Sequence, residues 1–199
     1  MHALHIMFAG TGLALGAFAL ALQPTRELAP VPQPPTAQPA APIPKEWTGK
    51  PPLVAFSGSF SAERVRGITR PADQASWRDV WTRHQGERAE KDSFGEVIAP
   101  EIDWTNCMAV AIFEGLARNN RGLYVVGIED QSDRVLLRYD GRTYQTASFG
   151  DQPDRGNTVT PYGLFILPRS SKPLVIEENT QNLLGQPPIW TERARFDGV

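Results

Sequence analysis

The chain has 199 residues, a formal net charge of −2 and hydrophobic residues at 41% of its positions. That apolar content is enough for a core, and the absence of a basic block argues against nucleic-acid binding, which needs a clustered basic face. The single cysteine, Cys107, excludes an intramolecular disulfide.

Ile6 to Leu22 is an uncharged apolar run of 17 residues. As a helix it would extend about 25 Å, between the core of a signal peptide and a full membrane span. Ala17-Phe18-Ala19 and Ala19-Leu20-Ala21 offer small residues at signal-peptidase spacing, which predicts a mature chain starting near Leu20 or Leu22. Met1 to His5 carry no Lys or Arg. Residues 1–22 are therefore read as a signal peptide or, if uncleaved, as an N-terminal membrane anchor. No cysteine lies near the run, which argues against lipid anchoring.

Residues 23–52 form a Pro/Ala-rich linker, with ten prolines between Pro24 and Pro52. Proline fixes φ and removes an amide donor, so the tract predicts disordered, semi-extended, polyproline-like chain. It serves as a spacer off a membrane or as a plain leader behind a cleavage site; a PxxP-type ligand is a third reading. Leader and linker together place the remainder outside the cytoplasm, periplasmic or secreted, or membrane-tethered if the signal is retained.

Leu53–Val199 has the length of one domain. Leu53–Phe56 opens a strand. Residues 72–86 read as a helix: Asp73 is a good N-cap, and Trp77, Val80, Trp81 and His84 recur at i, i+3, i+4, i+7 on one face. Pro100 ends the next connection. Met108–Phe113, apolar at every position, reads as a central strand that carries Cys107 at its start as a buried small hydrophobe. Leu123–Ile128 is similar. Arg134–Tyr139 and Thr143–Phe149 flank Asp140-Gly141, a type I′ hairpin signal. Residues 151–158 form a polar loop. Tyr162–Leu167, closed by Pro168, and Leu174–Glu177 are further strands. Ile189–Phe196 alternates poorly and is the weakest strand. The pattern predicts an α+β domain over residues 53–199, a mostly antiparallel β-sheet packed with one main α-helix.

The residues that carry chemistry are few. Transition-metal sites need several His, Cys or carboxylate ligands at set spacing, and outside the leader only His84 and Cys107 supply the softer donors. Asp151 to Asn157 offers oxygen ligands without the EF-hand pattern or its distal Glu. Ser57-Gly58-Ser59 is not the Gly-x-Ser-x-Gly of α/β-hydrolases, and no phosphate loop or dinucleotide fingerprint is present. His84 shares its predicted face with two tryptophans, so it reads as a packed histidine before a general base. Cys107 has no base predicted beside it to make it a nucleophile. Glu177 and Glu178 are adjacent, and adjacent strand residues point to opposite faces, so they would not share one site. No metal, cofactor or catalytic residue is expected.

Val159-Thr160-Pro161-Tyr162, the apolar strand to Leu167, Pro168-Arg169-Ser170-Ser171 and Lys172-Pro173 form an ordered motif. Upstream stand Trp77-Arg78-Asp79-Val80-Trp81, then Asp103-Trp104, then Met108 to Gly115. This succession, from about Ser76 to Pro173, resembles the family named for the C-terminal domain of PrcB, a protease-complex stabilising protein. The resemblance implies a small exported β-rich domain that works through protein contacts without enzymatic residues. The chain departs from that pattern in lacking a lipidation cysteine and in carrying residues 179–196 beyond the motif. Within the motif, Tyr162 and Arg169 are the candidate partner contacts, Arg169 being equally readable as a solvated turn residue.

The expected function is that of an exported, non-catalytic interaction domain that stabilises or positions an envelope or secreted protein partner. An enzyme of unrecognised type and a small-ligand carrier are the alternatives. An enzyme calls for a polar pocket with a perturbed acid or base and His84 turned into it. A carrier calls for a largely apolar cavity, and an interaction domain for an exposed apolar or aromatic patch.

Overall fold

The structure, a computed structural model, describes residues 49–147, 155–181, 183 and 185–198. The leader, the linker up to residue 48 and residues 151–154 of the polar loop lie outside the described residues. In chain order the elements are β1 (Val54–Gly58), β2 (Gly67–Thr69), α1 (Gln74–Gln85), β3 (Cys107–Phe113), β4 (Ala117–Arg118), β5 (Asn120–Asp130), β6 (Val135–Thr143), β7 (Thr158–Val159), β8 (Tyr162–Pro168), β9 (Leu174–Asn179) and β10 (Trp190–Phe196). The fold is α+β and dominated by mostly antiparallel sheet, as the hydrophobic pattern predicts. The strands form two four-stranded sheets, ordered β1-β8-β3-β2 and β10-β9-β6-β5, with β4 and β7 pairing separately. Of the sheet neighbours, only β6 and β9 run parallel.

The uniformly apolar β3 has a physical reason. Its sheet is the middle of three layers, so both of its faces are covered. Met108, Val110 and Ile112 point into a core shared with Phe165 and Leu167 of β8 and with Leu123, Val135, Leu137, Tyr139, Leu174 and Ile176 of the second sheet. The alternate residues Ala109, Ala111 and Phe113 join Leu164 and Ile166 under the helix, against Trp77 and Val80. This is the period-2 alternation of a strand with both sides buried.

A helix of 12 residues is marginal in water by itself, and α1 is held by its cap and its packing. Asp73 Oδ1 accepts the Ser76 N–H at 2.8 Å, and Ser76 Oγ accepts the Asp73 N–H at 3.1 Å. Such a reciprocal cap contributes about 1 kcal/mol. Trp77 is fully buried and donates from Nε1 to Pro100 O at 2.9 Å. Trp81, half-buried, meets Phe56 edge-on with ring centroids 5.4 Å apart. Both tryptophans pack against the sheet, on the predicted face.

Two expectations are corrected. Asp140-Gly141 is not a hairpin turn: β6 runs through it, with Asp140 opposite Tyr124 and Gly141 opposite Leu123. The reversal lies earlier, where Gln131 N–H donates to Arg134 O at 2.8 Å. Gly141 is required for space, not for a turn, because a Cβ there would stand 2.6 Å from Asn120 Nδ2. A strand glycine marking a close approach carries the same dipeptide as a type I′ turn. Thr143 consequently ends β6 and does not begin a new strand. Cys107, the first residue of β3, is half-buried and not sealed in the core, because it sits at the open end of the strand.

The poor alternation of β10 also has a cause. The register with β9 shifts between Glu192 and Ala194, a β-bulge that breaks the period-2 pattern. Of residues 179–196, Asn179 thus ends β9 and Trp190–Phe196 form the edge strand of the second sheet. Ahead of β1, Lys50 and Ile128 exchange both backbone hydrogen bonds at 2.9 Å, so the chain is already joined to the sheet at the end of the proline tract.

Candidate interaction surface

His84 lies on the buried face of α1 and is 3% exposed. Its ring is 4.0 Å from that of Tyr162, centroid to centroid, and Nδ1 is 3.2 Å from Ser61 Oγ. Burial, with the positive charge of Arg88 adding to it, pushes the imidazole down to about 4, so it is neutral at pH 7. Ser61 is itself buried, and its Oγ accepts the Glu63 N–H at 3.1 Å. Among the described residues no carboxylate is a hydrogen-bond partner of His84, so there the Ser61–His84 contact is without the orienting acid of a catalytic triad.

Tyr162 and Arg169 do not form one site. They stand at opposite ends of β8, whose 7 residues span roughly 20 Å. Tyr162 is half-buried beneath His84. Arg169 closes a turn, its N–H donating to Asn106 O at 2.8 Å and its guanidinium to Trp104 O. The other motif residues are similarly structural. Thr160 Oγ1 donates to Ser61 O at 2.6 Å, Pro173 O accepts from Val135 N–H at 2.8 Å, and Trp104 Nε1 donates to Gln74 Oε1 at 3.1 Å.

The surface near Tyr162 carries a feature that sequence reading missed. Phe60 is 61% exposed, Leu116 63% and Val65 72%. Phe60 and Leu116 line an open groove of about 630 Å³ with Arg64, Arg88 and Val159, and Val65 is next to it in the loop that meets Gly115. The frame is rigid. Ser61 N–H donates to Thr160 O at 3.0 Å, Thr160 N–H to Ser59 O at 2.9 Å, and Ala62 N–H to His84 O at 2.8 Å. Gly115 (φ 66°) turns the chain out of β3, and a Cβ there would lie 2.8 Å from Arg64 O. Among the described residues neither Arg64 nor Arg88 has a carboxylate partner; Arg88 donates only to the carbonyls of Gln85 and Phe60, each at 3.4 Å. The nearby Glu63 is taken by Arg83 at 3.2 Å, leaving Glu87 as the acid at the groove. A weak signal did exist: Phe60 and Leu116 interrupt polar or small neighbours (Ser59, Ser61, Gly115), where no core strand needs them.

The paired carboxylates of the domain are also absent from the sequence reading. Glu177 and Glu178 diverge as the strand rule requires: Glu177 binds Arg138 at 2.9 Å, while Glu178 binds Arg66 at 2.7 Å and Arg193. It is Glu114 that joins Glu178, through the same Arg66 nitrogen at 3.1 Å, with Tyr139 Oη donating to it at 3.3 Å. Burial, then the charge of Glu178, push the Glu114 carboxyl up, against the pull of Arg66 and Tyr139. The β10 bulge explains how Arg193 takes part, since it re-aims that side chain across the strand. Among the described residues no group of three His, Cys, Asp or Glu side chains is arranged to hold a metal ion. In comparisons with known proteins, the chain matches no family model, no curated protein and no solved structure.

Proposed function

We propose that the domain is an exported, non-catalytic interaction module that stabilises or positions a protein partner in the envelope or outside the cell. The observation that carries the reading is the group of exposed apolar side chains, Phe60, Val65 and Leu116, on hydrogen-bonded loops beside two guanidiniums without acid partners among the described residues. Large exposed apolar residues rimmed by polar ones mark docking surfaces, and Arg64 with Arg88 outweigh Glu87 at the groove. The complementary partner segment presents apolar side chains and a carboxylate. The likeness of the Val159–Pro173 motif to the PrcB C-terminal family supports the same reading, as does the apolar leader ahead of a proline tract.

The test uses the tagged full chain, chemically crosslinked in its native envelope. Crosslinked peptides should map to residues 60–65, 88 and 116 and to an acidic-apolar segment of one partner. Leu116→Asp and the pair Arg64→Glu, Arg88→Glu should each weaken binding of that purified partner at least about tenfold, as loss of a hot-spot contact does, with the melting temperature unchanged. Crosslinks confined to other faces, or unchanged affinity in both variants, would overturn the proposal.

A further inference from the structure

A second cavity, of about 340 Å³, opens where the two sheets come together. Glu114 from the end of β3, Asn120 from β5, Asp140 and Thr143 from β6, Glu178 from β9 and Gln181 line it. Its volume is at the low end of the roughly 300–1,000 Å³ of small-molecule sites, but its walls are polar where such sites are mostly apolar.

Asn120 is the informative residue. It is 7% exposed, and its Oδ1 accepts the Gly122 N–H at 2.8 Å. That bond fixes the amide orientation and turns Nδ2 towards Gly141, at the cavity wall. Among the described residues Nδ2 has no acceptor. Among the described residues no buried side-chain nitrogen or oxygen lacks a partner, so this Nδ2 reaches the water of the cavity, and a glycine within a strand, itself a mild penalty, makes the room for it. Gln181 repeats the arrangement: its Oε1 accepts the Leu183 N–H at 2.9 Å, leaving Nε2 to face outward. The Thr143 hydroxyl is a third group there without a partner among the described residues.

The acceptors are equally specific. Asp140 Oδ2 takes the Asn179 amide at 2.7 Å and retains lone pairs, and Glu114 Oε1 is held only by the long Tyr139 bond of 3.3 Å. Arg66 and Arg193 balance Glu114 and Glu178 from the outer side, so Asp140 carries the excess charge. An anion would be repelled by it. A strong cation is not called for, because two of the three acids are already compensated. Uncharged amide and hydroxyl donors and carboxylate acceptors line the same cavity. Each hydroxyl of a ligand both donates and accepts, so closely spaced hydroxyls meet both sets at once.

We infer that this cavity is a binding site for a neutral carbohydrate unit, with Asn120 Nδ2 and Gln181 Nε2 donating to its oxygens and Asp140 and Glu114 accepting from its hydroxyls. The site shares no lining residue with the Phe60–Leu116 groove.

The experiment is ligand-observed NMR and calorimetry on the full chain. The probes are glucose, galactose, mannose, N-acetylglucosamine, maltose and cellobiose, with lysine amide and arginine amide as cationic controls. At least one saccharide should bind in preference to both cations. Asn120→Asp keeps the acceptor for Gly122 and replaces the free donor, and should weaken binding about tenfold or more, the effect of one lost hydrogen bond at a buried group. Should Asn120→Asp fail to fold beside Asp140, Thr143→Val at the rim serves alone and should weaken binding about threefold or more. Leu116→Asp should leave saccharide binding unchanged, which separates this inference from the proposed function. It is overturned if no saccharide in the panel binds, if the cations are preferred, or if a saccharide binds equally to wild type and to Thr143→Val.

Discussion

Replacing Trp77 with alanine is the sharpest test of the layered core. The indole is fully buried between α1 and the middle sheet, and its N–H is held by Pro100 O at 2.9 Å. Truncating a buried tryptophan costs about 3–5 kcal/mol, a large share of the 5–15 kcal/mol that holds a domain folded. For a domain of this size that corresponds to a fall in melting temperature of about 6–20 °C. Trp77→Phe separates packing from the hydrogen bond. Pro100 O keeps a second donor, Gln74 Nε2 at 3.1 Å, so the phenylalanine variant should lose only about 1–2 kcal/mol. Trp81→Ala should fall between them, at about 1.5–3 kcal/mol, because Trp81 is half-buried and its main loss is edge contact with Phe56. Urea denaturation with a constant m-value, alongside thermal melts, gives the three numbers. A melting temperature for Trp77→Ala within 2 °C of wild type, or a Trp81 effect exceeding that of Trp77, would refute the assignment of the helix face.

Gly141→Asn separates the strand from the turn, since asparagine suits a type I′ turn but its Cβ meets Asn120 here; a loss of about 1–3 kcal/mol is expected in chemical denaturation, and a neutral result would restore the turn. His84, depressed to about 4 when folded against 6.5 for the free side chain, takes up its proton more readily in the unfolded chain, so its stability contribution is complete above pH 6.5 and is lost as pH falls towards 4. His84→Gln should flatten melting temperature against pH across that window and leave partner binding intact; an unchanged slope would show that other groups set it. Glu114 acts with the opposite sign: its raised carboxyl keeps its proton better when folded, so its contribution declines as pH climbs from the ordinary carboxylate value of 4.5 to the raised one. Glu114→Gln should remove that decline, readable as a relative gain of the variant over wild type with rising pH, and a relative loss would contradict the burial seen at this position.

What the sequence disclosed follows the range of the interactions. The α1 cap is complete within Asp73 to Ser76, and its buried face repeats within one helix, so both are legible in a short window. β3 is legible because two covered faces leave no polar position. Asp140-Gly141 misleads because the demand for glycine comes from Asn120, which is distant in sequence and adjacent only after β5 and β6 pair. Glu114 and Glu178 are likewise joined only once both sheets exist, so no local spacing announces them. Glu177-Glu178 was correctly separated by strand geometry alone. Tyr162 and Arg169 stood out through a motif, and that motif serves mainly to frame β8 and its flanking turns. Exposed Phe60 and Leu116 were hidden because hydrophobic periodicity reports what is buried and is silent about isolated apolar residues in loops.

The position of β8 at the centre of the middle sheet governs how the chain assembles. β1 and β3 both take β8 as their neighbour, and Ser61 finds Thr160 across a separation of 99 residues. The parallel β6–β9 pair straddles β8 in the chain, so β8 is synthesised before that pair can close. Neither four-stranded sheet is therefore complete until β8 to β10 have been synthesised. Non-local pairing of this kind places folding in the millisecond-to-second range, and until β8 arrives β3, buried on both faces in the folded domain, has nothing to cover it.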